Sequence, residues 1–98
     1  REGAAPISAP PATATPASLV AEGDGFTVSK DYKSAVERYQ QGIKMDPKCW
    51  ECYWRMGEAY AAMEQTKDAC EAYAMLYKLQ PRVPDRIRKR ISGLCPSL

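Results

Sequence analysis

The chain has 98 residues, 45% of them hydrophobic, with a net charge of +2 and no histidine. That length holds one domain at most, and no apolar run approaches the ~18 residues that a membrane-spanning helix needs. The missing histidine excludes His-based acid–base and nucleophile chemistry, His-ligated metal sites and haem attachment through C-x-x-C-H.

Residues 1–15 read as a flexible linker, dense in Pro and Ala and without apolar periodicity. From Pro16 onward the pattern predicts about five helices and no strand, an all-α domain over 16–98. The segment 16–28 is the least regular, because Gly23 and Gly25 flank Asp24 and each Gly costs about 1 kcal/mol in a helix interior. Over 31–46, Tyr32, Ala35, Val36, Tyr39, Gly42, Ile43 and Met45 recur at spacings of three and four. Asp31 is the expected N-cap, and Pro47 ends that helix. The stretch 49–63 follows with Tyr53, Met56, Gly57, Tyr60 and Met63 on one face. In 66–79 Thr66 is the expected N-cap and Ala69, Cys70, Tyr73, Leu76, Tyr77 and Leu79 form the apolar set. The last helix, 84–94, places Pro84 at its first position and Ile87, Ile91 and Leu94 along its stripe.

A shift of 34 residues lays Gly23 on Gly57, Phe26 on Tyr60, Ala35 on Ala69, Tyr39 on Tyr73 and Pro47 on Pro81. Small residues (Gly57, Ala69) let the two helices of a hairpin approach, aromatic residues (Tyr60, Tyr73) are expected to fill the space between hairpins, and the Pro stops the second helix. A period of 34 with two helices per unit resembles the tetratricopeptide repeat family. Repeat one spans 16–47 and repeat two 50–81, with 84–94 as a capping helix. In the second unit Gly57, Tyr60, Ala69, Tyr73 and Pro81 agree with the family pattern, with Tyr53 in place of its Trp and Met56 in place of its Leu. In the first unit Glu22 stands where the family buries a Leu. The resemblance implies a right-handed α–α superhelix and a protein-binding scaffold without catalysis or cofactor.

The same resemblance implies a groove lined by the first helix of each hairpin. Its candidate partner-binding residues are Glu51, Trp54, Arg55 and Glu58, with Arg88 and Lys89 on the terminal helix; Trp and Arg dominate interface energetics. The competing reading packs Trp54 against the neighbouring hairpin and leaves Arg55 and Glu58 as a solvated face. Residues 82–98 carry five bases against one acid, net +4, so residues 1–81 sum to -2. The run RIRKR reads as the wet side of a helix docked by Ile87 and Ile91, not as a nucleic-acid or membrane patch.

Four cysteines in so short a chain favour disulfides and an extracytoplasmic setting, periplasmic or secreted. Cys70 lies near the start of its helix and Cys95 closes the antiparallel helix that follows, which predicts Cys70–Cys95 and leaves Cys49–Cys52 as the second pair. Cys49-Trp-Glu-Cys52 also invites a thiol–disulfide redox reading, but no strand precedes it as such a motif requires. Zinc is disfavoured because Cys70 and Cys95 lack a close second pair. The expected function is a non-catalytic adaptor for a peptide or partner protein, tethered to a larger chain. The alternatives are self-association, and a redox protein built on Cys49 and Cys52.

Overall fold

The computed structural model describes residues 14–98, and among these it holds five α-helices and no strand. They are α1 Pro16–Val28, α2 Tyr32–Met45, α3 Trp50–Ala62, α4 Thr66–Leu79 and α5 Asp85–Leu94. Most of the expected linker lies outside the described residues, but Thr15 belongs to the domain as the N-cap of α1. The Ser18 N–H donates to Thr15 Oγ1 at 3.0 Å, and the Thr15 N–H donates to Ser18 Oγ at 2.9 Å. This reciprocal cap, with Pro16 in the first turn, keeps α1 regular through both glycines.

Two expected helix starts move by one residue. Gln65, not Thr66, is the N-cap of α4, and it makes no side-chain capping bond. Pro84 is the N-cap of α5, so the first helical residue is Asp85. Asp31 caps α2 as expected, accepting from the Ser34 N–H at 3.3 Å.

The 34-residue period is present in the backbone as well as in the sequence. Both hairpin turns pass through a left-handed residue, Lys30 at φ 64° and Glu64 at φ 61°. In each turn the next N–H reaches back five residues: Asp31 to the Phe26 carbonyl at 2.8 Å, Gln65 to the Tyr60 carbonyl at 2.9 Å. Those bonds close the helix ends, and the Tyr60 carbonyl accepts from the Met63 N–H at 3.1 Å as well. A non-glycine residue in that conformation costs roughly 1–2 kcal/mol, which the bond offsets in part.

Tyr73, expected between hairpins, instead packs within one: in each hairpin a tyrosine ring lies on a glycine, because only a residue without a side chain leaves room for it there. A Cβ built at Gly57 would stand 2.6 Å from Tyr73 Cε1, and one at Gly23 would overlap the ring of Tyr39 in the same way. Two apolar clusters result. The first gathers Val20, Ala35, Val36, Tyr39, Cys52, Met56, Ala59 and Ala72. The second gathers Ala69, Tyr73, Leu76, Val83, Ile87, Ile91 and Cys95, with Trp50, Tyr53 and Trp54 of α3 packed on it. Helix α3 therefore serves both clusters. Glu22, at the position of the buried Met56 one period later, stays exposed and pairs with Arg38 at 3.0 Å.

Two disulfides, Cys49–Cys52 and Cys70–Cys95, complete the domain. The second ties the end of α5 to the start of α4 across 25 residues of chain. Helix α5 has only ten residues and buries only Ile87 and Ile91, so this tie contributes a large share of its attachment. In the chain-entropy model a loop of this size is worth about 3.5 kcal/mol, against about 1.6 kcal/mol for the three-residue spacing of Cys49–Cys52. Replacing Cys70 and Cys95 together by Ala should lower unfolding free energy in urea by about 3 kcal/mol. Gly57→Ala should cost about 2 kcal/mol by the same measurement, since the Tyr73 ring must give way. Gly25, with nothing within 4 Å of its virtual Cβ, is the internal control: Gly25→Ala should gain about 0.5–1 kcal/mol.

Candidate interaction face

Helices α1, α3 and α5 carry the expected face, and the structure builds it around two carboxylates. Asp24 follows Gly23, and Glu58 follows Gly57. The Tyr39 hydroxyl donates to Asp24 Oδ1 at 2.7 Å, and the Tyr73 hydroxyl donates to Glu58 Oε2 at 2.9 Å. Each carboxylate also meets an arginine from the next helix of the row. Arg55 Nε lies 3.8 Å from Asp24 Oδ1, and Arg90 Nη2 lies 2.6 Å from Glu58 Oε1. One unit thus links three helices through tyrosine, acid and arginine, and the unit recurs one period later.

Burial raises the Tyr39 pKa from its ordinary 10 to about 12, and the hydrogen bond to Asp24 adds to the effect. Burial also pushes Tyr73 upward, with the negative charge of Glu58 next in weight. Both phenols are therefore neutral donors at physiological pH.

Trp54 is half-buried on the second cluster. Trp50 stacks on it at a centroid distance of 6.5 Å, and the Arg55 guanidinium sits 4.4 Å above its ring. Its indole N–H is buried and meets no acceptor among the described residues. Trp54 is thus a packed residue with one side open, not a free anchor. Glu58 is likewise occupied, bridging Tyr73 and Arg90. Glu51 is exposed at the first turn of α3. It borders a depression of about 270 Å³ whose other walls are Pro16, Ala17, Val20, Asp46, Lys48, Cys49 and Trp50.

The terminal helix departs from expectation. Arg90, which the sequence reading did not single out, meets Glu58, while Arg88 lines a separate depression with Ala74, Tyr77, Ser92 and Leu98. Two positions apart on a helix means about 200° around its axis, so Arg88 and Arg90 cannot share a face. The cause is one extra residue: four residues separate α2 from α3, but five separate α4 from α5. Arg55 therefore corresponds to Arg90 at a shift of 35, and Lys89 corresponds to Trp54. Lys89 is exposed.

Sequence reading missed the roles of Tyr39, Asp24, Tyr73 and Arg90. The available signal was the acid immediately after each glycine of the repeat. Among the described residues no group of three or more Cys, Asp or Glu converges as a metal site, and no helix is long and apolar enough to cross a membrane. The paired cysteines fit an oxidising environment. The chain matches no family model and no curated protein sequence.

Alkaline titration tests the tyrosine–carboxylate links. The folded-state pKa of Tyr39 lies above the unfolded value, so its stabilisation is intact below pH 10 and is lost as pH rises towards 12. Unfolding free energy measured from pH 8 to 12 should fall over that window. In a Tyr39→Phe protein the fall should be shallower, from a lower starting value.

Proposed function

We propose that this chain is a protein-interaction module of the tetratricopeptide-repeat type, two helical hairpins and a capping helix forming a segment of right-handed superhelix. Its binding role needs neither catalysis nor cofactor: it serves as an exported adaptor, periplasmic or secreted, that holds a peptide or partner protein. The observation that carries this reading is the repetition of one packing unit at the 34-residue period. Gly23, Asp24, Tyr39 and Lys30 recur as Gly57, Glu58, Tyr73 and Glu64 with the same contacts and turn conformation. Repeated hairpins of this kind generate extended binding surfaces, because each unit contacts only its neighbours and leaves one face open.

The partner would lie along α1, α3 and α5. Glu51 and the exposed edge of Trp54 supply the contacts from α3, Arg55 the cation beside them, and Lys89 the cation on α5. Glu58 contributes by fixing Arg90 in place. Arg88, on another side of α5, lies outside this set. The two disulfides support the exported setting, since such bonds persist outside reducing compartments.

Photocrosslinking in the producing cell tests the face directly. A photoreactive residue at Glu51 or Ala62, both exposed on α3, should give adducts with a distinct protein, and one at Lys78 of α4 should not. Adducts of twice the chain's own mass would replace the adaptor by self-association. Adducts from Lys78 alone would overturn the assigned face.

A further inference from the structure

We propose that Cys49–Cys52 is a thiol–disulfide exchange site, with Cys49 as the attacked sulfur and a dithiol as the reaction partner. The inference is independent of the binding face and rests on how the two disulfides sit in the fold.

The sulfurs of Cys49–Cys52 are unequal. Cys52 is completely buried, and a Cβ built at Gly42 would stand 2.7 Å from its Sγ, so α2 closes over it. Cys49 is half-buried and forms part of the wall of the 270 Å³ depression, between Lys48 and Trp50, with Pro16, Ala17 and Val20 opposite. The depression opens beside Cys49, while Cys52 is closed off from solvent. Access to one sulfur is a condition for exchange.

Opening the bond leaves the fold its local support. Cys49 is the N-cap of α3, and the Cys52 N–H points at Cys49 Sγ at 3.2 Å. The same two places, 34 residues earlier, are held by Thr15 and Ser18, which cap α1 through hydrogen bonds alone. A Cys49 thiolate would take the part of Thr15 Oγ1, accepting from the helix N-terminus, where thiolates are favoured. Cys70–Cys95 also joins a half-buried cysteine to a buried one, but it differs in span. It fastens α5 to α4 over a separation of 25 residues, so folding brings together two sulfurs that the unfolded chain would hold far apart, and the folded domain favours this bond more than the local Cys49–Cys52 bond.

The step balances as follows. One thiolate of the dithiol attacks Cys49 Sγ, a new S–S bond forms to Cys49, and the Cys49–Cys52 bond breaks. Cys52 leaves as a thiolate and takes a proton. The second thiol of the partner, deprotonated, then attacks its own sulfur in the mixed disulfide and expels Cys49 as a thiolate, which is protonated in turn. The partner is oxidised by two electrons to its disulfide, and Cys49 and Cys52 are reduced to two thiols.

The full chain, titrated with dithiothreitol under native conditions, tests this. Aliquots are alkylated, mapped by peptide mass and followed by circular dichroism at 222 nm. Cys49 and Cys52 should label at dithiothreitol concentrations at least about tenfold below those that label Cys70 and Cys95, with helicity unchanged. In a Cys52→Ala protein, Cys49 should form a mixed disulfide with 5,5′-dithiobis(2-nitrobenzoate). In a Cys49→Ser protein, Cys52 should react at least about a hundredfold more slowly. Opening of Cys70–Cys95 first or together, loss of helicity in step with labelling of Cys49, or equal reactivity of Cys52 would each overturn the assignment. The wild-type titration stands by itself if either variant fails to fold.

Discussion

Each hairpin depends on a tyrosine ring laid across a bare glycine, with the ring's hydroxyl reaching the acid next to that glycine. The geometry forces several choices at once. No side chain fits at Gly23 or Gly57, because the rings of Tyr39 and Tyr73 occupy the space. The hydroxyl, carried under cover, needs an acceptor, and the adjacent residue supplies one. Asp24 and Glu58 meet that need, and their remaining charge draws Arg55 and Arg90 from the next helix. A close backbone approach inside a hairpin thereby fixes how that hairpin addresses its neighbour.

The face assigned to a partner is the outer side of this same network. Arg55 lies over Trp54 and beside Asp24, so the orientation of this half-buried tryptophan depends on a cation already placed by a tyrosine–acid pair. Rigid presentation lowers the ordering cost of binding. The arrangement also explains why the second disulfide matters more to the fold than the first. Arg90 can serve Glu58 only while α5 is docked, and Cys70–Cys95 keeps it there.

Much of this was legible in the sequence because it repeats. Apolar spacings of three and four, with prolines at the boundaries, located all five helices, and antiparallel packing paired Cys70 with Cys95. What stayed hidden obeyed no local rule. Asp24 and Glu58 sit on helix surfaces where an acid reads as a solvated residue, and only the tyrosine arriving from fifteen residues away gives it a task. The regularity of α1 was hidden for a similar reason: its two glycines argue against helix, while Thr15 and Ser18 hold the end and Tyr39 fills the gap. The exchange of Arg88 for Arg90 came from one extra residue between α4 and α5. On a helix that is enough to turn a side chain away from its expected face.

That extra residue also sets what α5 can offer to anything placed beyond it. At the shift of 35, the glycine and acid of the earlier helices become Ser92 and Gly93. The order of the pair is lost, and with it the carboxylate. A helix packing there would bring its tyrosine against a serine side chain in place of a bare glycine and find no carboxylate for the hydroxyl. The packing unit of the first two hairpins is therefore directional: α5 receives the preceding unit through Arg90 but does not itself present the glycine–acid pair.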